Sequence, residues 1–216
     1  MCMTISMSYS SLTTATTNPK SLQQLRGSSD RPHQHQQRRR NLVGDDTTIF
    51  ADSDANFLGP TLSGTDGHDK MVGEGFNEIM NGGMGHDTMD GGDGNDIMSG
   101  GGDSDQMFGG TGNDTMNGDG GHDKMFGEEG NDIMNGGDGF DFMEGGAGSD
   151  IMNGGDDSDK MFGGDGDDIM NGDGGHDTME GGTGSDTMNG GNGNDFCKFI
   201  IFLTKVLTET VNNLAF

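Results

Sequence analysis

The chain has 216 residues with 37 acidic against 11 basic, a formal net charge of −26, 28% hydrophobic residues, 44 glycines and no tryptophan. That is too little apolar surface to offset chain entropy in a conventional globule, and a compact state so charged repels itself unless a cation is part of it. Phosphate backbones and anionic lipid both need a basic surface, so nucleic acid and membrane are excluded as partners of the acidic part; metal ions, polycations and basic proteins remain.

Residues 1–43 are compositionally separate from the rest. The first 29 hold twelve Ser or Thr and no acid, with Lys20 and Arg26 their only bases; Arg31, His33, His35 and Arg38-Arg39-Arg40 follow. No apolar stretch of the secretory type is present, and the hydroxyl-rich, acid-poor makeup suits either a disordered tail or an organelle transit peptide. The basic end of this tail can also fold back on the acidic array. Residues 44–63 read as an N-terminal cap: Thr61-Leu62-Ser63 fits the strand part of a degenerate repeat, and Ile49, Phe50 and Phe57 are apolar residues suited to covering a first coil.

From Gly64 to Lys198 a nine-residue phrase recurs fifteen times without insertion or deletion. Position one is always Gly; position six is Asp except at Glu78; position eight is Met except at Cys197. This array holds 31 acidic residues against Lys70, Lys124, Lys160 and Lys198, so it carries essentially all of the chain's charge. An unbroken short period predicts a solenoid. Gly at positions one, two and four predicts a tight turn over the first six positions, with positive φ at the glycines. The last three positions alternate outward, inward, outward around the Met, which predicts a short strand. Such strands cannot fold singly but can stack, each turn burying its Met on the next.

The true period is eighteen. Even repeats carry Ile or Thr before the Met and mostly Asn after it (Ile133, Asn135), whereas odd repeats carry Lys before it and Phe after it at three places (Lys124, Phe126). Two repeats per coil follow, with the Ile/Asn rows on one parallel sheet and the Lys/Phe rows on the other. Strands ~4.8 Å apart give seven or so coils a length of roughly 35 Å. Stacked loops then bring position-six carboxylates and exposed Gly-loop carbonyls into an all-oxygen environment, which suits Ca²⁺ better than the stricter octahedral Mg²⁺.

The phrase resembles the Gly-Gly-x-Gly-x-Asp-x-U-x repeat of the RTX, or hemolysin-type, calcium-binding family, over 135 of the 216 residues. The resemblance implies an all-β fold: a parallel β-roll, a right-handed two-sheet solenoid with Ca²⁺ between the loops of repeats n and n+2 as its cofactor. On that pattern the ligands are the carboxylates of Asp69, Asp87, Asp96, Asp105, Asp114, Asp123, Asp132, Asp141, Asp150, Asp159, Asp168, Asp177, Asp186 and Asp195. The carbonyls of Gly85, Gly94, Gly112, Gly121, Gly130, Gly139, Gly148, Gly166, Gly175 and Gly184 join them. The repeat at Gly73 departs, with Phe76 and Glu78 in place of Gly and Asp; Asp103 and Asp157 replace Gly at position four, where Asp tolerates the left-handed region. Met also stands where the family usually has Leu, Ile or Phe.

Several residues carry two readings. The Met rows are either plain core packing by an adaptable side chain, or a soft-metal or oxidation-sensitive element; packing is preferred, because position eight already requires an inward apolar residue. His68, His86, His122 and His176, all at position five of odd repeats, read as exposed loop histidines rather than a metal edge. The Ile/Asn face reads as an ordinary solvent-facing sheet whose apolar row offers a contact for a protein, glycan or mineral surface.

The tail 199–216 is Gly-free, with Ile200, Leu203, Leu207, Val211 and Leu214 at helical spacing. It is too short and too polar to span a membrane. It reads as a C-terminal cap or, by the family resemblance, an uncleaved secretion signal. No catalytic constellation is present in the array. The expectation is a non-enzymatic, extracellular calcium-binding roll that folds as Ca²⁺ binds, with a structural or adhesive rod, or a piece of a larger secreted enzyme or toxin, as alternatives.

Overall fold

A computed structural model describes Thr48–Phe50 and residues 61–198 of the chain. The expectations for the N-terminal tail, for Phe57 and for the C-terminal helix lie outside the described residues. Those described form two parallel sheets and, among them, no helix. The odd sheet runs β1 (Thr48–Phe50), β3 (Lys70–Val72), β5 (Thr88–Asp93), β7 (Gln106–Thr111), β9 (Lys124–Glu129), β11 (Phe142–Ala147), β13 (Lys160–Asp165), β15 (Thr178–Thr183) and β18 (Phe196–Lys198). The even sheet runs β2 (Thr61–Ser63), β4 (Ile79–Met84), β6 (Ile97–Gly102), β8 (Thr115–Gly120), β10 (Ile133–Asp138), β12 (Ile151–Asp156), β14 (Ile169–Gly175) and β16 (Thr187–Asn189), with β17 (Asn192–Gly193) also on β14.

Every pairing joins residues eighteen apart once the array begins: Met134 lies beside Met116 and Met152, and Met125 beside Met107 and Met143. The chain is therefore a two-sheet parallel solenoid of about eight turns, one more than the repeat count alone suggests, because Leu62 and Ile49 extend the Met rows at the N-terminal end. Leu62 pairs with Met80 and Ile49 with Met71, and both are buried.

The strands are longer than the alternation of positions seven to nine predicts. Internal strands are six residues long, seven at β14, and run through positions one to three of the next repeat, so that, β14 apart, only positions four to six turn the corner. Position one is extended rather than left-handed. Its glycine is demanded by space: a Cβ on Gly118 would overlap the Asp123 carboxylate and lie 2.5 Å from the Gly136 carbonyl oxygen of the next coil. Positive φ belongs to positions two and four, and there Asp103, Asp119, Glu128, Asp157 and Asp173 adopt it without being Gly.

The core is almost pure methionine. From Met71 to Met179 each position-eight Met is 0–1% exposed, and the row opens only at Met188. Two sheets this close leave a narrow, irregular gap that an unbranched thioether fills without rotamer strain. Truncating one such residue leaves a hole lined by rigid strands. Met134→Ala is expected to cost about 2–5 kcal/mol, read as a lowered urea midpoint with an unchanged β spectrum.

The outer faces differ. On the even sheet the Asn side chains form an amide ladder: Asn135, Asn153, Asn171 and Asn189 each donate to the Asn one coil earlier, at 2.8, 3.2, 3.2 and 2.9 Å. On the odd sheet Phe108 stacks on Phe126 with centroids 5.2 Å apart; Phe142 and Phe162 continue the row, and the Lys160 ammonium sits 4.8 Å from the Phe162 ring centre. These rings face one another along the rod, so they stabilise the sheet as cross-strand pairs.

Candidate metal-binding loop edges

Each turn places the position-six carboxylate just before a strand, with its side chain directed inward. The result is one acidic ladder per edge of the solenoid: Asp69, Asp87, Asp105, Asp123, Asp141, Asp159, Asp177 and Asp195 on one, and Glu78, Asp96, Asp114, Asp132, Asp150, Asp168 and Asp186 on the other. The carboxylates from Asp69 to Asp177 are at most 3% exposed, and only Asp186 and Asp195, near the open end, are less buried.

The two oxygens of each carboxylate have different fates. One accepts a hydrogen bond from the position-six N–H one coil earlier, as in Asp114 N–H to Asp132 (2.8 Å) and Asp123 N–H to Asp141 (2.8 Å). The other is buried without a hydrogen-bond partner among the described residues, in every ladder Asp from Asp87 to Asp177; Glu78 has both oxygens in that condition. A buried, half-satisfied carboxylate is unstable as an anion. Burial accordingly pushes these groups above the ordinary Asp value, to about 6 at Asp87, Asp114, Asp132, Asp141 and Asp168, and to about 7 at Asp105, Asp123 and Asp159. The N–H bond from the preceding coil pulls the other way and is outweighed. Asp96, Asp150 and Asp177 move in the same direction for the same reason. Glu78 rises to about 8, by burial first and the adjoining Asp96 second.

The loop backbone supplies further oxygen. Loop-to-loop backbone bonds among the described residues end mainly on position-three and position-six carbonyls, such as Gly130 N–H to Ala147 O (2.8 Å) and Ile151 N–H to Asp132 O (2.8 Å). Position-four carbonyls, those of Gly94, Gly112, Gly130, Gly148 and Gly166 among them, stay outside this lattice. They point along the rod at the position-four glycine of the next coil: a Cβ on Gly130 would overlap the Gly112 oxygen. No point among the described residues gathers three His, Cys, Asp or Glu side chains. Carboxylates from stacked coils together with backbone carbonyls offer an all-oxygen set whose chemistry matches a hard ion.

A second ladder was not anticipated from the sequence. The position-five side chain accepts the position-five N–H one coil later: Asn95 takes the Asn113 N–H at 2.7 Å, Asn113 that of Asn131 at 2.7 Å, and Ser158 that of His176 at 2.8 Å. The histidines belong to it. His68 Nδ1 accepts from His86 N–H at 2.7 Å with the two rings stacked 5.0 Å apart; His122 accepts from Phe140 and His176 from Asn194. These are working acceptors rather than idle loop residues. The signal was present: position five is Asn, Ser, His or Asp in fourteen of the fifteen repeats, all short side chains with an acceptor, and Phe140 is the exception. The two ladders run in opposite senses, so each loop is clamped from both neighbouring coils.

Stacked loops of half-satisfied, buried carboxylates around a thin apolar core define a class: a parallel two-sheet β-solenoid with an acidic ladder along each edge. The model of the RTX calcium-binding nonapeptide repeat matches at residues 63–98, 72–107, 99–134, 108–143, 126–161, 135–170 and 162–197, together well over half of the sequence. The chain belongs to that family of calcium-binding repeats. A search of the curated proteins gave no match.

Proposed function

We propose that the array is a calcium-dependent folding module: the chain binds several Ca²⁺ ions at its two loop edges, folds as it does so, and works outside the cell. The observation that carries this reading is the run of buried carboxylate oxygens without partners. Asp87, Asp96, Asp105, Asp114, Asp123, Asp132, Asp141, Asp150, Asp159, Asp168 and Asp177 hold the cation through those oxygens, with Asp69, Asp186 and Asp195 serving the coils at either end. The position-four carbonyls of Gly85, Gly94, Gly112, Gly121, Gly130, Gly139, Gly148, Gly166, Gly175 and Gly184 complete the oxygen set. When bound, Ca²⁺ supplies the positive charge that lets these carboxylates remain ionised in a buried site. Binding free energy is then folding free energy, because the loops exist only when coils stack. The role is binding rather than catalysis.

Ligand sets of this kind on flexible loops fall in the range of extracellular modules, roughly 10⁻⁴–10⁻³ M, so calcium-poor cytosol leaves the chain unfolded. The test is far-UV circular dichroism of the full chain in EDTA and along separate Ca²⁺ and Mg²⁺ titrations at pH 7.5. A β spectrum that appears with sub-millimolar to millimolar Ca²⁺ and not with Mg²⁺ is the expected result. A β spectrum already complete in EDTA at that pH, or saturation at nanomolar Ca²⁺, refutes it.

A further inference from the structure

The two outer faces of the solenoid are not equivalent in charge. Of the outward positions seven and nine, the odd sheet carries charge at Lys70, Asp90, Lys124, Glu144, Lys160, Glu180 and Lys198. The even sheet carries none at those two positions from β2 to β16, in an array where 31 residues are acidic, although the Asp119 carboxylate accepts from Asn117 and Ser99, and that of Asp173 from Asn171, along the side of the Asn row. Its outward rows are Ile or Thr beside Asn or Ser throughout, the Asn row tied by the amide ladder described above. Ile79, Ile97, Ile133, Ile151 and Ile169 are each 47–52% exposed, and Ile133, Ile151 and Ile169 lie directly beside one another on adjacent strands. An apolar row of this length on an otherwise highly charged molecule marks a contact surface.

We infer that this face is the interface between two copies of the chain, packed sheet to sheet. Charge selects the face: between two rods this acidic, repulsion is least where the outward rows themselves carry no charge. Shape agrees, because a row repeating at one strand spacing is matched by its own copy, as an isologous interface requires. Size agrees with a reversible pair. Eight strands at ~4.8 Å make the face about 34 Å long, and two such faces together remove on the order of 1,000 Å² of accessible surface, the low end for specific interfaces. The acidic margin sets the orientation. Asp119, Asp138, Asp156 and Asp173 run along one long side of the Ile and Asn rows. A two-fold axis parallel to the rods and centred on those rows puts the two margins on opposite sides of the pair, whereas antiparallel rods would press them together.

Sedimentation velocity of the full chain in saturating Ca²⁺, from about 1 to 200 µM, tests this alongside circular dichroism of the same samples. Mass is read in whichever solution, with Ca²⁺ or without, shows the β spectrum, so failure of the calcium reading is seen separately and leaves this test intact. The wild type is expected to shift from monomer to dimer with concentration. The triple variant Ile133→Lys, Ile151→Lys, Ile169→Lys is expected to stay monomeric with an unchanged β spectrum, and Gln106→Lys with Thr178→Lys on the odd sheet to dimerise as the wild type does. Should the triple variant not fold, Ile151→Glu alone is used and is expected to weaken dimerisation at least tenfold. A wild type that is monomeric throughout overturns the inference, including one that uses this face for a polysaccharide or mineral surface instead. So does a folded Ile-face variant that dimerises undiminished.

Discussion

Acidifying the calcium-free chain is expected to fold it. The ladder aspartates have folded-state values near 6 or 7, against 3.8 for an ordinary Asp, because burial disfavours the anion. A raised carboxyl means that the folded, metal-free chain binds more protons than the unfolded chain between pH 3.8 and about 7. The stabilisation is fully present below the unfolded value and is lost as pH rises through 6 to 7. A shift of two units or more is worth about 3 kcal/mol for a single group at neutral pH, already a large fraction of the stability of an ordinary domain, about 5–15 kcal/mol. Circular dichroism in EDTA should therefore show β-structure growing from pH 7.5 to pH 5.0, and the Ca²⁺ concentration needed to saturate the folded chain should rise over the same range as protons compete for the same oxygens, while that needed to fold it falls. A chain that remains unstructured in EDTA at pH 5.0, or a β signal that declines on acidification, contradicts the account of the ladders.

The second large effect is steric. Gly130→Ala is expected to break the stack in the middle of the array, whereas Gly120→Ala, ten residues away, is expected to change almost nothing. At Gly130 φ is +146°, and an added Cβ would overlap the Gly112 oxygen and lie 2.5 Å from its carbonyl carbon. Both groups are backbone, so no rotamer change relieves the clash and the coils must separate. The same separation pulls the Asp114–Asp132 rung apart. Strain and overpacking together give about 3–5 kcal/mol. At Gly120, position three, a Cβ meets no atom within 4 Å. Urea unfolding at fixed saturating Ca²⁺ distinguishes them: the Gly130 variant should lose most of its midpoint or unfold in two steps, and the Gly120 variant should match the wild type. Equal midpoints would mean that loop spacing is looser than these contacts require.

The carboxylate ladder also accounts for the choice of glycine at position one. Sequence pattern alone assigns that glycine to the turn, because Gly is the residue of positive φ. In the structure it lies in a strand and is required because the neighbouring Asp carboxylate and the next coil's carbonyl fill the space a Cβ would take. The same absence of a side chain has two physical causes, dihedral freedom at positions two and four and close approach at position one. No local pattern separates them.

By itself the sequence determined the architecture. An unbroken eighteen-residue super-period fixes a parallel register, since any slip would move every Met off the core and every Asp out of its ladder at once. It also determined which residues face inward, because alternation about the Met admits one assignment, and it pointed to oxygen-rich, cation-requiring edges through the excess of Asp over Lys. The tertiary structure decided the rest. It extended the strands through positions one to three, because pairing with both neighbouring coils continues past the Met triplet into the following glycines. It revealed the position-five ladder and gave the histidines a role in it, which depends on a donor eighteen residues away. It also divided each ladder carboxylate into one bonded and one unpartnered oxygen. That division arises only when identical loops are held one strand spacing apart: the preceding coil's N–H reaches one oxygen, and packing against the position-one glycine seals the other from water.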